Sequence, residues 1–151
     1  MRSTRQWIPA GGLLATVAAA AYAVVQLNGQ AQAPNGDFTN ASTAFVRDAQ
    51  GQTVLQGQFA APIEEDGDLE RRATLTPAGS DADAAGEAEV EFAKTGATTQ
   101  EVEFTVRNLQ PDTNFVFAID STDVASVKTD RRGRAEVELD VRMHGTAPRS
   151  K

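Results

Sequence analysis

The chain has 151 residues with 14 basic and 21 acidic side chains, a formal net charge of −7, one histidine and no cysteine. This length supports one domain with a single core, and an acidic surface repels nucleic acid and anionic lipid. The lack of cysteine excludes disulfides, thiolate metal sites, a cysteine nucleophile and lipid attachment at an N-terminal cysteine, so stability has to come from packing.

Residues 1–33, MRSTRQWIPAGGLLATVAAAAYAVVQLNGQAQA, place Arg2 and Arg5 ahead of an apolar run at 7–27 and end in small residues, the order of a secretory signal. Gly29-x-Ala31 and Ala31-x-Ala33 both fit the small-x-small rule, and Pro34 after the second favours cleavage at the first. The alternative is an uncleaved membrane anchor, since an uncharged run of this length spans a bilayer. Pro9, Gly11, Gly12 and the alanine-rich composition shorten the effective apolar core and favour cleavage. Removal of 1–33 leaves 12 basic against 21 acidic residues, a charge of −9. The expected location is the periplasm, the cell surface or the exterior, with membrane contact only through 7–27 if that run is retained.

Residues 34–42, PNGDFTNAS, read as a polar linker to a domain at 43–142, followed by a flexible tail at 143–151. TAFVR and TVLQGQF flank DAQGQ, whose Asp and Gly suit a hairpin turn. LERRATLT follows an acidic loop, EEDGD. In EAEVEFA a period of two puts Glu87, Glu89 and Glu91 on one face and Ala88, Val90 and Phe92 on the other. EVEFTVR repeats the device with Val102, Phe104 and Val106 inward, and RAEVELDVR does so with Ala135, Val137, Leu139 and Val141. The run FVFAI at 115–119 does not alternate, which fits a central strand in the heart of the core. Short strands, frequent turns and no helical period predict an all-β fold, an antiparallel β-sandwich of seven or eight strands.

Leu109, Pro111, Thr113 and Phe115 form a Leu-x-Pro-x-Thr-x-Phe corner with five candidate strands before it. The corner resembles that of fibronectin type III and immunoglobulin-like modules, where a tyrosine begins the sixth strand, and the resemblance implies a sandwich of that kind. The chain departs from the pattern in three ways. Phe115 has no hydroxyl to return a bond to the backbone, no tryptophan lies outside residues 1–33, and two strands, near VASVKT and RAEVELDV, follow the corner where the family has one. The chain also resembles a loose class of exported bacterial β-proteins with G-x-A-E-x-E strands and a TD-x-x-G hairpin, which implies secretion and a β-fold without naming a chemistry.

Catalytic equipment is sparse in the sequence. His144, the one histidine, sits in a polar tail that gives an imidazole no rigid support, and no G-x-S-x-G elbow occurs, so Ser80 reads as a loop residue and no catalytic residue is assigned. Alternating glutamates read as a wetted outer face that also discourages edge pairing, without the burial that carboxylate-based hydrolysis needs. DADAAGE begins like a calcium loop with Asp81, Asp83 and Gly86, but Ala85 and Phe92 stand where oxygen ligands are required. Glu64, Glu65, Asp66 and Asp68 are the candidate ligands for a weak Ca2+ site on one turn. Lys128, Arg131, Arg132 and Arg134 form the one basic concentration after residue 33, a candidate contact for an acidic partner at a hairpin tip. The functional expectation is an exported, non-enzymatic domain with a structural or protein-interaction role. Its alternatives are a membrane-anchored accessory domain held by residues 7–27 and a weak calcium-binding or carboxylate-based hydrolytic module.

Overall fold

Alternation with a period of two builds this domain, because each strand has one face to bury and one to wet. The computed structural model describes residues 35–143; the expected signal or anchor at 1–33 and His144 with the rest of the tail lie outside the described residues. Nine strands follow in chain order: β1 Thr43–Arg47, β2 Thr53–Gln58, β3 Ile63–Glu65, β4 Asp68–Pro77, β5 Ala85–Ala93, β6 Thr99–Arg107, β7 Asn114–Ile119, β8 Thr122–Lys128 and β9 Ala135–Arg142. All pairings are antiparallel, in the order β8-β7-β1-β2-β4-β5-β6-β9, with β3 added on β4.

Two expectations need correction. In place of a clear two-sheet sandwich, the strands make one hydrogen-bonded sheet curled into a nearly closed barrel, with β8 and β9 approaching at the seam. The reason is β4, which pairs along its length with β5 and also meets β2 at Leu55–Pro77 and Gln56–Thr76, so the ladder runs through where a sandwich would break. Gly57 lets β2 crowd the Thr74 carbonyl at this junction, where a Cβ would collide with backbone. The strand count is nine rather than seven or eight because EEDGD is a hairpin and not an open loop. Asp66 and Gly67 both take positive φ, 51° and 95°, the two-residue turn whose twist matches its flanking strands, and it pairs β3 with β4.

The core follows the inward sets read from the sequence. Val90, Val102, Phe104, Val106, Val137 and Val141 are fully buried, joined by Leu55, Leu75, Phe117 and Ile119. FVFAI lies in β7 between β1 and β8, and its lack of alternation has two causes. Phe115, Phe117 and Ile119 point into the core, while Ala118 lies in an outer row between Phe45 of β1 and Asp123 of β8. Arg47 stacks over the Phe45 ring at 5.3 Å and reaches Asp123 at 3.3 Å, so it arches across that row and Ala118 is sealed as well. The register shift after Phe117 leaves Val124 as the extra residue of β8, which buries Val124 and Ala125 in succession.

The segment read as a linker contributes Phe38 and Ala41 to the core. Gln100, itself buried, accepts the Phe38 N–H at 3.0 Å and donates to the Gly36 carbonyl at 2.6 Å, pinning this segment across one end of the barrel. Gln100→Leu leaves that N–H and carbonyl without partners and is expected to destabilise the domain by about 1–3 kcal/mol. Amide exchange at residues 36–41 checks it; unchanged protection there would show that the side chain is not the clamp.

Strand directions place the turns at 48–52, 78–84, 108–113 and 129–134 at one end of the barrel. The first and last described residues, 35 and 143, lie at the other end, where Met143 N–H bonds the Thr98 carbonyl.

Candidate functional site: an acidic sheet face and the four-turn end

Because β4, β5, β6 and β9 pair in register, the outward glutamates of each strand stack into rows. Glu70, Glu91, Glu101 and Asp140 form one row, Arg72, Glu89, Glu103 and Glu138 the next, and Thr74, Glu87, Thr105 and Glu136 the third. Like charges directly opposite one another across a sheet are destabilising. Arg72 is the cation within these rows, contacting Glu70, with Glu89 at 3.3 Å and Glu87 at 4.0 Å.

The crowding shows in the ionisation of the carboxyls. Partial burial, then the charge of Glu70, pushes Glu89 from its ordinary value of 4.5 up to about 7, against the pull of Arg72. Burial also raises Glu91, Glu101 and Glu103, with an acid on a neighbouring strand as the next cause in each case: Glu101, Glu138 and Glu136 respectively. A raised carboxyl favours the folded state when protonated. For Glu89 that contribution is full below about 4.5 and is lost as the pH rises through about 7. The urea midpoint is therefore expected to be higher at pH 5 than at pH 8, Glu89→Gln should flatten much of the difference, and added salt should recover stability at pH 8. A midpoint that rises from pH 5 to pH 8 would contradict this account.

Metal-ligating geometry is found elsewhere than expected. Among the described residues, the carboxylate oxygens lying within 4.8 Å of one another are those of Glu70, Glu89 and Glu91, three donors where calcium takes six to eight oxygens. The structure does not gather Glu64, Glu65, Asp66 and Asp68 in this way. Neighbours in β3 point to opposite faces, and Glu64 is engaged by Lys94 at 2.7 Å. The cluster was missed because its members come from two strands, and only their register brings them together.

Lys128 ends β8, and Arg131, Arg132 and Arg134 sit exposed on the turn at 129–134. Asp130 organises that turn: its Oδ1 accepts the N–H groups of Arg132 at 2.7 Å and Arg134 at 2.9 Å, and these bonds hold its carboxyl below the ordinary range. The corner at 109–115 is closed by a residue that sequence reasoning passed over. The buried Thr129 hydroxyl donates to the Gln110 carbonyl at 2.6 Å and accepts the Thr113 N–H at 3.1 Å, tying the corner to the next turn.

Two concavities adjoin these features. One of about 280 Å³ lies at the entry end of the acidic face, with Asp68, Glu91, Glu101 and Asp140 on its walls. The other, about 590 Å³, opens at the four-turn end between the 48–52, 78–84 and 108–113 turns. Comparison with known family models, curated proteins and solved structures finds no match to this chain.

Proposed function

We propose that this chain is an exported, non-enzymatic β-domain with a protein-interaction role, and that it docks a cationic protein surface on the outer face of β4, β5, β6 and β9. The observation that carries this reading is the set of three registered rows, in which nine carboxylates share one broad face with a single arginine. Stacking like charges in register works against the sheet's own stability, and a complementary positive surface relieves that repulsion while steering the encounter. Affiliation with immunoglobulin-like or fibronectin-like sandwiches belongs to the same proposal, supported by the Leu109, Pro111, Thr113 and Phe115 corner.

A photocrosslinking residue at Glu101 tests the docking face in the native cellular compartment, with one at Ser126, exposed on β8 and outside the three acidic rows, as the control. The expected result is a discrete, salt-sensitive protein adduct from position 101 and none from 126. Equal adducts from both positions, or none from either, would overturn the assignment.

The second reading, a membrane-anchored accessory domain, is favoured by one feature. The Gly36–Gln100 bond clamps the chain nine residues after the end of the 7–27 run, so a retained run would hold that end of the barrel close to the bilayer. Intact mass of the protein from soluble and membrane fractions separates the two readings. A soluble species beginning at Gln32 or Pro34 supports export with cleavage; a membrane species retaining 7–27 supports the anchor.

A further inference from the structure

We propose that Asn35 is a site of spontaneous covalent modification, at which the Gly36 backbone nitrogen closes a succinimide on the Asn35 side chain and water opens it to aspartate or isoaspartate. This goes beyond the acidic-face reading and does not depend on it.

Such a reaction needs a backbone N–H that is free to turn toward the preceding carboxamide and has little bulk beside it. Asn35-Gly36 meets both conditions. Asn35 is exposed, Gly36 brings no Cβ to obstruct the approach, and among the described residues neither the Asn35 carbonyl nor the Gly36 N–H takes part in a hydrogen bond. The Gln100 clamp acts beyond the Gly36 Cα, at the Gly36 carbonyl and the Phe38 N–H, so the 35–36 peptide unit keeps its freedom to rotate.

The other asparagines among the described residues are protected by the fold. Ala41 N–H, which follows Asn40, bonds the Phe38 carbonyl at 3.0 Å. Leu109 N–H, which follows Asn108, bonds the Gly133 carbonyl at 3.0 Å, and the Asn108 carboxamide itself donates to the Asp83 carbonyl at 3.0 Å. Asn114 opens β7 and is followed by Phe115, which is buried in the core. Packing also favours glycine at 36, because a Cβ there would come within 2.9 Å of the ring of Phe38, itself buried.

In the first step the bond from Gly36 N to Asn35 Cγ forms and the Cγ–Nδ2 bond breaks, Nδ2 leaving as ammonia with the proton that Gly36 gives up. Water then adds to either ring carbonyl. Opening at Cγ restores the ordinary backbone as aspartate, whereas opening at the main-chain carbonyl routes the chain through the side chain as isoaspartate. Each product places a new carboxylate close in sequence to that of Asp37, which already accepts the Thr39 N–H at 3.0 Å.

The test is peptide mapping by mass spectrometry of the purified full chain in non-ionic detergent, sampled during incubation at pH 8, with a parallel incubation in guanidinium chloride. Fragment ions separate Asn35 from Asn28-Gly29, which lies outside the described residues. In the folded chain, conversion at Asn35 is expected to run at least about tenfold faster than at Asn40, Asn108 or Asn114, since the bonded sites must first open locally. That gap should narrow in denaturant, where the bonds at Ala41 and Leu109 are lost. Asn35→Gln, whose longer side chain must close a larger ring, should stop the conversion and leave the urea midpoint unchanged. No conversion at Asn35, comparable rates at all four asparagines in the folded chain, or an equal gap in denaturant would each overturn the proposal.

Discussion

Phe117→Ala is expected to lower the unfolding free energy by about 3–5 kcal/mol, read as a fall in the urea midpoint at unchanged slope. Phe117 is fully buried at the centre of β7 and meets Phe104 of β6 edge-on, with ring centroids 5.3 Å apart and planes at 72°. The two rings come from opposite walls of the barrel, since β7 and β6 are far apart in the strand order. Their contact therefore spans the interior and is not a neighbour pair along the sheet. Truncation removes both the buried area and the aromatic geometry, and a closed sheet has little freedom to collapse into the void. A loss below about 1 kcal/mol would show that β7 does not cross the core as described.

Gly133→Ala is the second large effect, expected to destabilise by at least about 2 kcal/mol through overpacking and an unfavourable backbone angle together. A Cβ at residue 133 would collide with the Leu109 carbonyl, and φ there is +70°. That approach carries the Leu109 N–H to Gly133 carbonyl bond, so the substitution pushes apart the two turns that close the corner around Thr129. Gly51→Ala separates the two causes. Its φ is +80°, yet nothing lies within 4 Å of the added carbon, so only the conformational penalty applies, about 1–2 kcal/mol. Thermal or urea unfolding of both variants checks the argument; equal losses would mean that the close approach at Gly133 contributes nothing.

Both effects sit at places where the primary structure supplies the residue type and the assembled barrel supplies the neighbour. Phe117 is readable as core from its run of apolar neighbours, but its partner Phe104 is not. Gly133 is readable as a turn glycine after Asp130, while its collision with Leu109 depends on how two turns from distant parts of the chain stack. The acidic face divides in the same way. The alternation of Glu87, Glu89 and Glu91 against Ala88, Val90 and Phe92 is explicit in the chain, and so is the matching pattern in β6 and β9. That these rows align, crowding Glu89 between Arg72, Glu103 and Glu87, is a matter of register, which no single strand encodes.

The amino-acid sequence by itself determined the all-β class, the inward residues of β5, β6 and β9, the burial of the β7 run and the presence of two strands after the corner, because a period of two and the chemistry of turns are local properties. Asp66-Gly67 was equally local and equally legible, yet the surrounding acids disguised a hairpin as a solvated loop. Only the tertiary structure decided that β4 joins both halves into one curled sheet, that Gln100 clamps residues 36–38, and that the Thr129 hydroxyl closes the corner at 109–115. Each of these depends on groups separated by many residues, whose meeting is set by strand order and closure and not by any repeat along the chain.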